Sequence, residues 1–221
     1  MAHVLALYTS LTHQTERIVL TVAEALERGG HQVIREKLEP LEPMPLPVPP
    51  ELLGGLLKQA LTGAWPVVPL KPLRASMETP YDLILLGYQP WYMTPSVPMH
   101  SFLKGPQAQL LRGRAVIGLL SCRALYARAS GLFERWVSEA GGSVLEQRVW
   151  TDQDKRPTNF ASLGHMLKHG RDPQAGPLTR LLKPFGVGET GLARAQSYGE
   201  SLSTRLKLGT LDGSGGVRVI S

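Results

Sequence analysis

Apolar runs of strand length alternate with helix-period segments along most of the chain. The apolar runs predict five strands, over residues 4–8, 32–36, 82–86, 115–120 and 144–149. Apolar positions spaced three and four apart predict helices over residues 15–28, 97–103, 124–140 and 192–206. Because strands and helices alternate, we predict a three-layer α/β fold, with a five-stranded parallel sheet of order 2-1-3-4-5 and helices on both faces.

Two long connections interrupt this alternation. The first, residues 37–79, is rich in proline and includes one short predicted helix near residues 51–61, and the second is residues 150–190. Loops of such length are usually functional or disordered. We therefore predict a single domain over residues 1–208 with insertions at 37–79 and 150–190, followed by a flexible, glycine-rich tail at residues 209–221.

Composition narrows the class of protein. The chain has 221 residues, of which 43% are hydrophobic, and a single cysteine, so we expect a globular protein without an internal disulfide. No apolar run approaches the ~20 residues that span a bilayer, and no signal peptide is recognisable, so we expect a cytoplasmic protein with no membrane span. The net charge of +6 either only sets solubility or attracts anionic small molecules such as phosphorylated cofactors. The sequence lacks the long Lys/Arg runs typical of nucleic-acid-binding proteins.

The first predicted strand leads into a hydroxyl-rich turn that opens a helix. This turn contains Ser10, Thr12, His13, Gln14 and Thr15. Unpaired N–H groups and the positive end of the helix dipole attract anions at a helix N-terminus, and hydroxyl groups add donors. Ordinary helix capping is the alternative, but three hydroxyls exceed what one cap requires. We therefore predict a phosphate site in this turn.

Two further turns are expected to meet the first, because the turns after the first, third and fourth strands of such a sheet open on one crevice. The turn after the third strand offers side chains on which a flat ring can stack, and its predicted contact residues are Gln89, Pro90, Trp91, Tyr92, Met93 and Thr94. The turn after the fourth strand adds small polar groups, an arginine and an aromatic residue, which are Ser121, Cys122, Arg123 and Tyr126. A surface or core role for the aromatic residues is the alternative.

These motifs resemble those of the flavodoxin-like family and, within it, of the FMN-dependent NAD(P)H:quinone reductases. The S-x-T-x-x-T turn at residues 10–15 resembles the family's FMN phosphate loop, although the family usually has glycine at the position of His13. A second block of the family's sequence, which covers the third strand and the turn after it, is similar to residues 81–87, Pro90 and residues 95–103. The resemblance covers residues 3–150 and implies a flavodoxin-like fold, FMN as the cofactor held by the three turns, and NAD(P)H as co-substrate.

The leading interpretation is an FMN-dependent oxidoreductase that transfers two electrons from NAD(P)H to a quinone-like or other small acceptor. The alternatives are a flavodoxin-fold binding module that has lost flavin, with His13 as the mark of the lost site, and a one-electron carrier. No catalytic residue is predicted, since a flavin itself carries the chemistry. Both insertions start at the edge where the crevice opens, so we expect them to form a lid or the surface of a homodimer or higher homo-oligomer.

A cysteine and a pair of histidines are given neither a catalytic nor a metal-binding role. Cys122 has no second cysteine or adjacent histidine to activate it as a nucleophile. His165 and His169 are spaced to share a helix face, but two ligands do not make a metal site.

Overall fold

A parallel sheet forms the middle layer of the computed structural model, which describes residues 1–45, 47–62, 65–123, 126–151, 158–170, 186–211 and 216–220. The described residues form six parallel strands, in the spatial order β2 (Gln32–Lys37), β1 (His3–Tyr8), β3 (Leu83–Tyr88), β6 (Ala115–Cys122), β7 (Ser143–Thr151) and β8 (Val217–Ile220). A separate antiparallel hairpin consists of β4 (Pro90–Trp91) and β5 (Thr94–Pro95). The predicted order of the first five sheet strands is confirmed.

Helices cover both faces of the sheet, as predicted. They are α1 (Gln14–Arg28), α2 (Pro50–Thr62), α3 (Val97–Lys104), α4 (Tyr126–Glu139), α5 (Thr158–His169) and α6 (Glu189–Leu208), with a short 3₁₀ helix at Pro106–Leu111. Helix α2 lies in the first long connection, where the sequence predicts a helix over residues 51–61. Of the described helices, none has the length and apolar character needed to cross a bilayer.

Successive strand residues contribute to two separate cores. Leu5 and Leu7 of β1 belong to a buried cluster that includes residues of α3 and α4, whereas Val4 and Ala6 belong to a cluster that includes residues of α1 and α6. This is the two-residue period of a strand that is buried on both faces. It explains why β1 and β3 are almost continuously apolar in sequence, and it places α1 on the opposite side of the sheet from α3.

The C-terminal segment differs from the prediction of a flexible tail. Residues 217–220 form β8, which pairs in parallel with β7 from Gln147↔Val217 to Trp150↔Ile220, so the sheet has a sixth strand. Four residues after a glycine-rich run are too few to show a strand period in sequence. The strand is specified by its hydrogen bonds to β7, which are long-range contacts. Residues 212–215 and 221 lie outside the described part of the chain.

The second insertion contains the α5 helix (Thr158–His169), for which the sequence predicts no bounds. Within α5 the rings of His165 and His169 lie with their centroids 4.4 Å apart, as expected for residues one helical turn apart. In the described part of the chain, no group of three or more His, Cys, Asp or Glu side chains is arranged to hold a metal ion. The remainder of the predicted insertion, residues 152–157 and 171–185, lies outside the described residues.

Gly87 in β3 permits α1 to pack closely on the sheet. A Cβ atom at Gly87 would lie 2.3 Å from Val19 Cγ2, 2.8 Å from Tyr8 Cβ and 3.2 Å from Thr15 Cγ2. Two of these separations are shorter than any ordinary carbon–carbon contact. We expect Gly87→Ala to lower the free energy of unfolding by about 2 kcal/mol through overpacking, as measured by urea denaturation.

The matched control for this prediction is Gly131→Ala in α4. A Cβ atom at Gly131 would have no neighbour within 4 Å. There the same substitution is expected to raise stability by up to about 1 kcal/mol, because alanine loses less conformational entropy in a helix than glycine does. Equal effects of the two substitutions would contradict the packing explanation for Gly87.

Candidate functional site at the carboxyl ends of the strands

The loop between β1 and α1 places a buried hydroxyl beside an uncapped helix end. Ser10 is 7% exposed, and its Oγ has no hydrogen-bond partner among the described residues. His13 occupies the N-cap position of α1, and its side chain makes no hydrogen bond to the backbone N–H groups of the first turn. The backbone N–H groups of the first turn of α1 therefore lack the usual side-chain acceptor. A buried donor and a helix N-terminus together suit an anion.

His13 adopts a backbone conformation that favours glycine. Its φ is 60° and its ψ is 1°, in the left-handed region. The imidazole is 70% exposed, and its Nδ1 lies 2.7 Å from Glu16 Oε2 on the surface of α1. The side chain therefore does not fill the loop. The left-handed conformation also gives a physical reason for the glycine that the resembled family usually has at this position.

The strain at His13 is testable by comparing two variants that both remove the imidazole. His13→Gly relieves the left-handed conformation, whereas His13→Ala retains it. We expect the glycine variant to be about 1 kcal/mol more stable than the alanine variant in urea denaturation, because a Cβ atom is disfavoured at positive φ. An alanine variant as stable as the glycine variant would show that this backbone conformation carries no strain.

Glu16 is the acidic residue in the first turn of α1, and its charge is compensated by neighbours. Lys37 Nζ lies 3.5 Å from its Oε2, and the Tyr8 hydroxyl donates to its Oε1 at 3.2 Å. Burial alone would raise the pKa of Glu16, but the hydrogen bond with His13 and the Lys37 charge hold it below its usual value. Burial and the Glu16 charge raise the pKa of Tyr8 to about 12. The carboxylate thus stays ionised and is paired on the outer surface of the helix.

Thr15 connects the three predicted loops. Its buried Oγ1 lies 2.7 Å from Ser121 Oγ, at the end of β6, and 3.3 Å from the side-chain amide of Gln89, just after β3. The hydrogen-bond pattern fixes the orientation of the Gln89 amide. Its oxygen accepts from the Leu11 backbone N–H at 3.0 Å and from Trp91 Nε1 at 3.2 Å. The structure therefore brings the loops after β1, β3 and β6 into direct contact.

Gln14 lies in the same loop, but its side chain is engaged elsewhere. Gln14 Oε1 accepts from the Val187 backbone N–H at 3.0 Å, and its Nε2 donates to the Thr12 carbonyl at 3.5 Å. Arg17 Nη1 donates to the Val187 carbonyl at 3.3 Å. The side chain of Gln14 thus fastens the segment that leads into α6. Sequence reasoning missed this role because Val187 is far away along the chain.

The turn after β3 is the β4–β5 hairpin. Pro90, Trp91 and Met93 are half-buried, whereas Tyr92 at the tip is 49% exposed with a φ of 59°. Thr94 is fully buried, and its hydroxyl donates to the Trp91 carbonyl at 3.3 Å. The two aromatic side chains of the hairpin are therefore partly accessible, while the Thr94 hydroxyl is used within the hairpin.

The turn after β6 is only partly described. Ser121 is buried and contacts Thr15, and Arg123 is half-buried. Cys122 and Tyr126 pack against the core cluster on the α3 and α4 side of the sheet. Residues 124 and 125 lie outside the described residues. Of the four predicted contact residues in this turn, Ser121 has a direct hydrogen bond to the β1 loop.

Trp65 belongs to this region although sequence reasoning did not select it. It lies in the first long connection, is 5% exposed, and meets the Trp91 ring edge-on with centroids 5.9 Å apart. The only signal in the sequence is a tryptophan in an otherwise proline-rich connection. Such a residue has no strand or helix period that would place it.

No family model and no curated protein sequence matches the chain. Among solved structures, a flavoprotein in complex with FMN from Lactobacillus acidophilus NCFM matches with a TM-score of 0.54 and 17% identity, over 67% of this chain and 93% of that one. A flavodoxin from the domain Archaea matches with a TM-score of 0.51 and 11% identity, over 93% of this chain and 99% of that one. The chain has the flavodoxin-like fold.

The flavodoxin-like strand order explains why the three loops meet. The chain passes from β1 outward to β2 and then returns to the other side of β1 as β3. Loops that leave neighbouring strands at such a reversal open a crevice at the carboxyl edge of the sheet, where ligands of open α/β sheets bind. Thr15, Gln89 and Ser121 lie at this crevice.

Proposed function

We propose that this protein binds FMN at the crevice and transfers two electrons from NAD(P)H to a quinone-like or other small acceptor. The observation that carries the proposal is the partnerless buried hydroxyl of Ser10 beside the uncapped N-terminus of α1. The Leu11 N–H of the same loop and the Trp91 indole N–H both donate to the side-chain oxygen of Gln89. An anion site next to half-buried aromatic rings suits a phosphorylated, planar cofactor.

The residues of the crevice fit the two ends of FMN. The Ser10 hydroxyl and the backbone N–H groups at the start of α1 would hold the phosphate, and Trp91 with Tyr92 would flank the ring. Bound FMN would supply the hydride-accepting and hydride-donating chemistry. The chain's own residues bind and orient the reactants and exclude water from the ring. Ser121 and Thr15 fix the floor of the crevice through their mutual hydrogen bond.

The overall reaction balances with one proton from solvent. NAD(P)H loses a hydride, which carries two electrons and one proton, and the quinone gains two electrons and two protons to become a hydroquinone. The net charge of +6 supports a two-electron reductase, since it attracts the phosphates of NAD(P)H. This attraction is modest at any single site, because salt screens charges beyond roughly 10 Å at 0.1 M ionic strength.

The first test is the colour of the purified protein and its titration with FMN. We expect visible flavin absorbance, or quenching of added FMN fluorescence with one site per chain. NADH and NADPH are then supplied separately with menadione, and nicotinamide oxidation is followed with and without FMN. A protein that never binds FMN would support the flavin-free binding module. FMN binding with no NAD(P)H oxidation would support the one-electron carrier.

A further inference from the structure

The Trp65 indole is buried directly behind the hairpin that carries Trp91. Its Nε1 donates to the Thr94 hydroxyl at 2.5 Å, and its ring meets the Trp91 ring at an interplanar angle of 79° with centroids 5.9 Å apart. Edge-to-face aromatic pairs of this geometry are attractive beyond their buried area. Val97 and Val68 complete the small apolar cluster around the two indoles.

The backbone that carries Trp65 is anchored to the body of the protein. The Val68 N–H donates to Ser101 Oγ of α3 at 3.0 Å. The Lys71 N–H donates to the Glu39 carbonyl at 2.8 Å, and the Leu41 N–H donates to the Pro69 carbonyl at 2.9 Å. The end of the long connection is therefore fixed on α3 and on the segment after β2. Trp65 is held against the hairpin by these contacts.

Trp91 is consequently fixed in two ways. Its Nε1 donates to the Gln89 oxygen at 3.2 Å, and its ring rests on Trp65. The Thr94 hydroxyl, which accepts from Trp65, donates in turn to the Trp91 carbonyl at 3.3 Å. A chain of hydrogen bonds thus links Trp65, in the long connection, through the Thr94 hydroxyl to the backbone carbonyl of Trp91.

We propose that Trp65 is a positioning residue that holds Trp91 in place as one wall of the flavin site. This inference rests on the proposed function. A side chain that must be ordered when a ligand binds costs roughly 0.5–1.5 kcal/mol, and a preorganised side chain avoids that cost. The proline-rich connection is expected from sequence to form a lid or an oligomer surface. Through Trp65 it would instead affect flavin binding by fixing the position of Trp91.

FMN titration of four variants tests the inference. Trp65→Phe removes the donor to Thr94, and Thr94→Val removes the acceptor. We expect each to raise the FMN dissociation constant by about three- to ten-fold, in line with the cost of ordering one side chain. The double variant should bind FMN no more weakly than Thr94→Val alone, since Thr94→Val already removes the hydrogen bond that Trp65→Phe removes. Thr94→Ser keeps the hydroxyl and should bind FMN as the wild type does.

Trp150→Phe is the matched control, because Trp150 is 1% exposed and packs against Tyr198 of α6 on the other side of the sheet. It removes a buried indole N–H without touching the hairpin, and its FMN affinity should stay within two-fold of wild type. A readout that needs no FMN is the ¹⁹F resonance of Trp91 in protein labelled with fluorotryptophan. We expect that resonance to shift in Trp65→Phe and to remain unchanged in Trp150→Phe.

The outcomes separate the two proposals. Suppose that the wild type binds FMN and that Trp65→Phe and Trp150→Phe bind it equally well, or that the Trp91 resonance does not change when the Trp65 indole is removed. The positioning role is then overturned, and the proposed function stands. If the wild-type protein binds no FMN, the proposed function is overturned, and the inference that rests on it is overturned as well.

Discussion

Ser10→Asp is expected to weaken FMN binding by about a hundred-fold or more, because it would place a carboxylate where the phosphate is proposed to bind. Ser10 is 7% exposed, so the repulsion would be only partly screened by water. Two unit charges about 4 Å apart interact by about 4 kcal/mol at an effective dielectric constant of about 20. Fluorescence titration of FMN against the variant measures the loss directly.

Two further variants separate this electrostatic effect from others. Ser10→Ala removes only the hydroxyl and should cost about ten-fold in affinity, in line with the loss of one hydrogen bond to a charged group. Ser138→Asp makes the same exchange at an exposed position of α4 and should leave FMN affinity unchanged. An FMN affinity of Ser10→Asp equal to that of wild type would place the phosphate away from this loop.

The fold was largely predictable because burial on both faces leaves a strong local signal. All six residues of β3 are buried, and the sequence shows them as an almost uninterrupted apolar run. The reversal of strand order then follows from general rules of chain connection. By contrast, β8 and α5 were missed. The four residues of β8 gain their order from pairing with β7, which no local window of sequence contains.

The site was predictable at the level of loops and not at the level of side chains. The strand order predicts that the loops carrying Thr15, Gln89 and Ser121 meet, and the structure places these side chains in hydrogen-bonding contact. The amide of Gln14 turns instead to Val187, and Trp65 reaches the hairpin from a connection with no periodic pattern. Both contacts depend on the path of long loops, which periodicity does not determine.

Glu146→Gln is expected to lower the free energy of unfolding by about 3 kcal/mol at neutral pH, because it leaves two partly buried arginines without their buried anion. Glu146 of β7 is 2% exposed, and one carboxylate oxygen accepts from Arg205 Nη1 at 2.6 Å and from the Tyr198 hydroxyl at 2.8 Å. The other accepts from Arg148 Nη2 at 2.6 Å. These bonds fasten α6 to the sheet. Urea denaturation at pH 7 measures the loss.

The same carboxylate predicts how stability depends on pH. Burial alone would raise the pKa of Glu146, but the hydrogen bonds from Arg205 and Tyr198 and the Arg148 charge hold it below the usual value. The folded protein therefore binds fewer protons at this site than the unfolded chain, and stability rises with pH. The contribution of Glu146 is complete above the unfolded pKa of about 4.3 and is lost as pH falls through the lower folded pKa.

The difference in stability between wild type and Glu146→Gln should therefore shrink as acid protonates the carboxylate, since a neutral carboxyl group and an amide then offer similar hydrogen bonds. Glu139→Gln is the control, because Glu139 pairs with Lys104 at the surface, where its side chain is 49% exposed. That substitution should change stability by less than about 1 kcal/mol at any pH, as exposed ion pairs contribute little. A stability gap for Glu146→Gln that stays constant from neutral to acidic pH would show that packing, and not the ionised carboxylate, fastens α6 to β7.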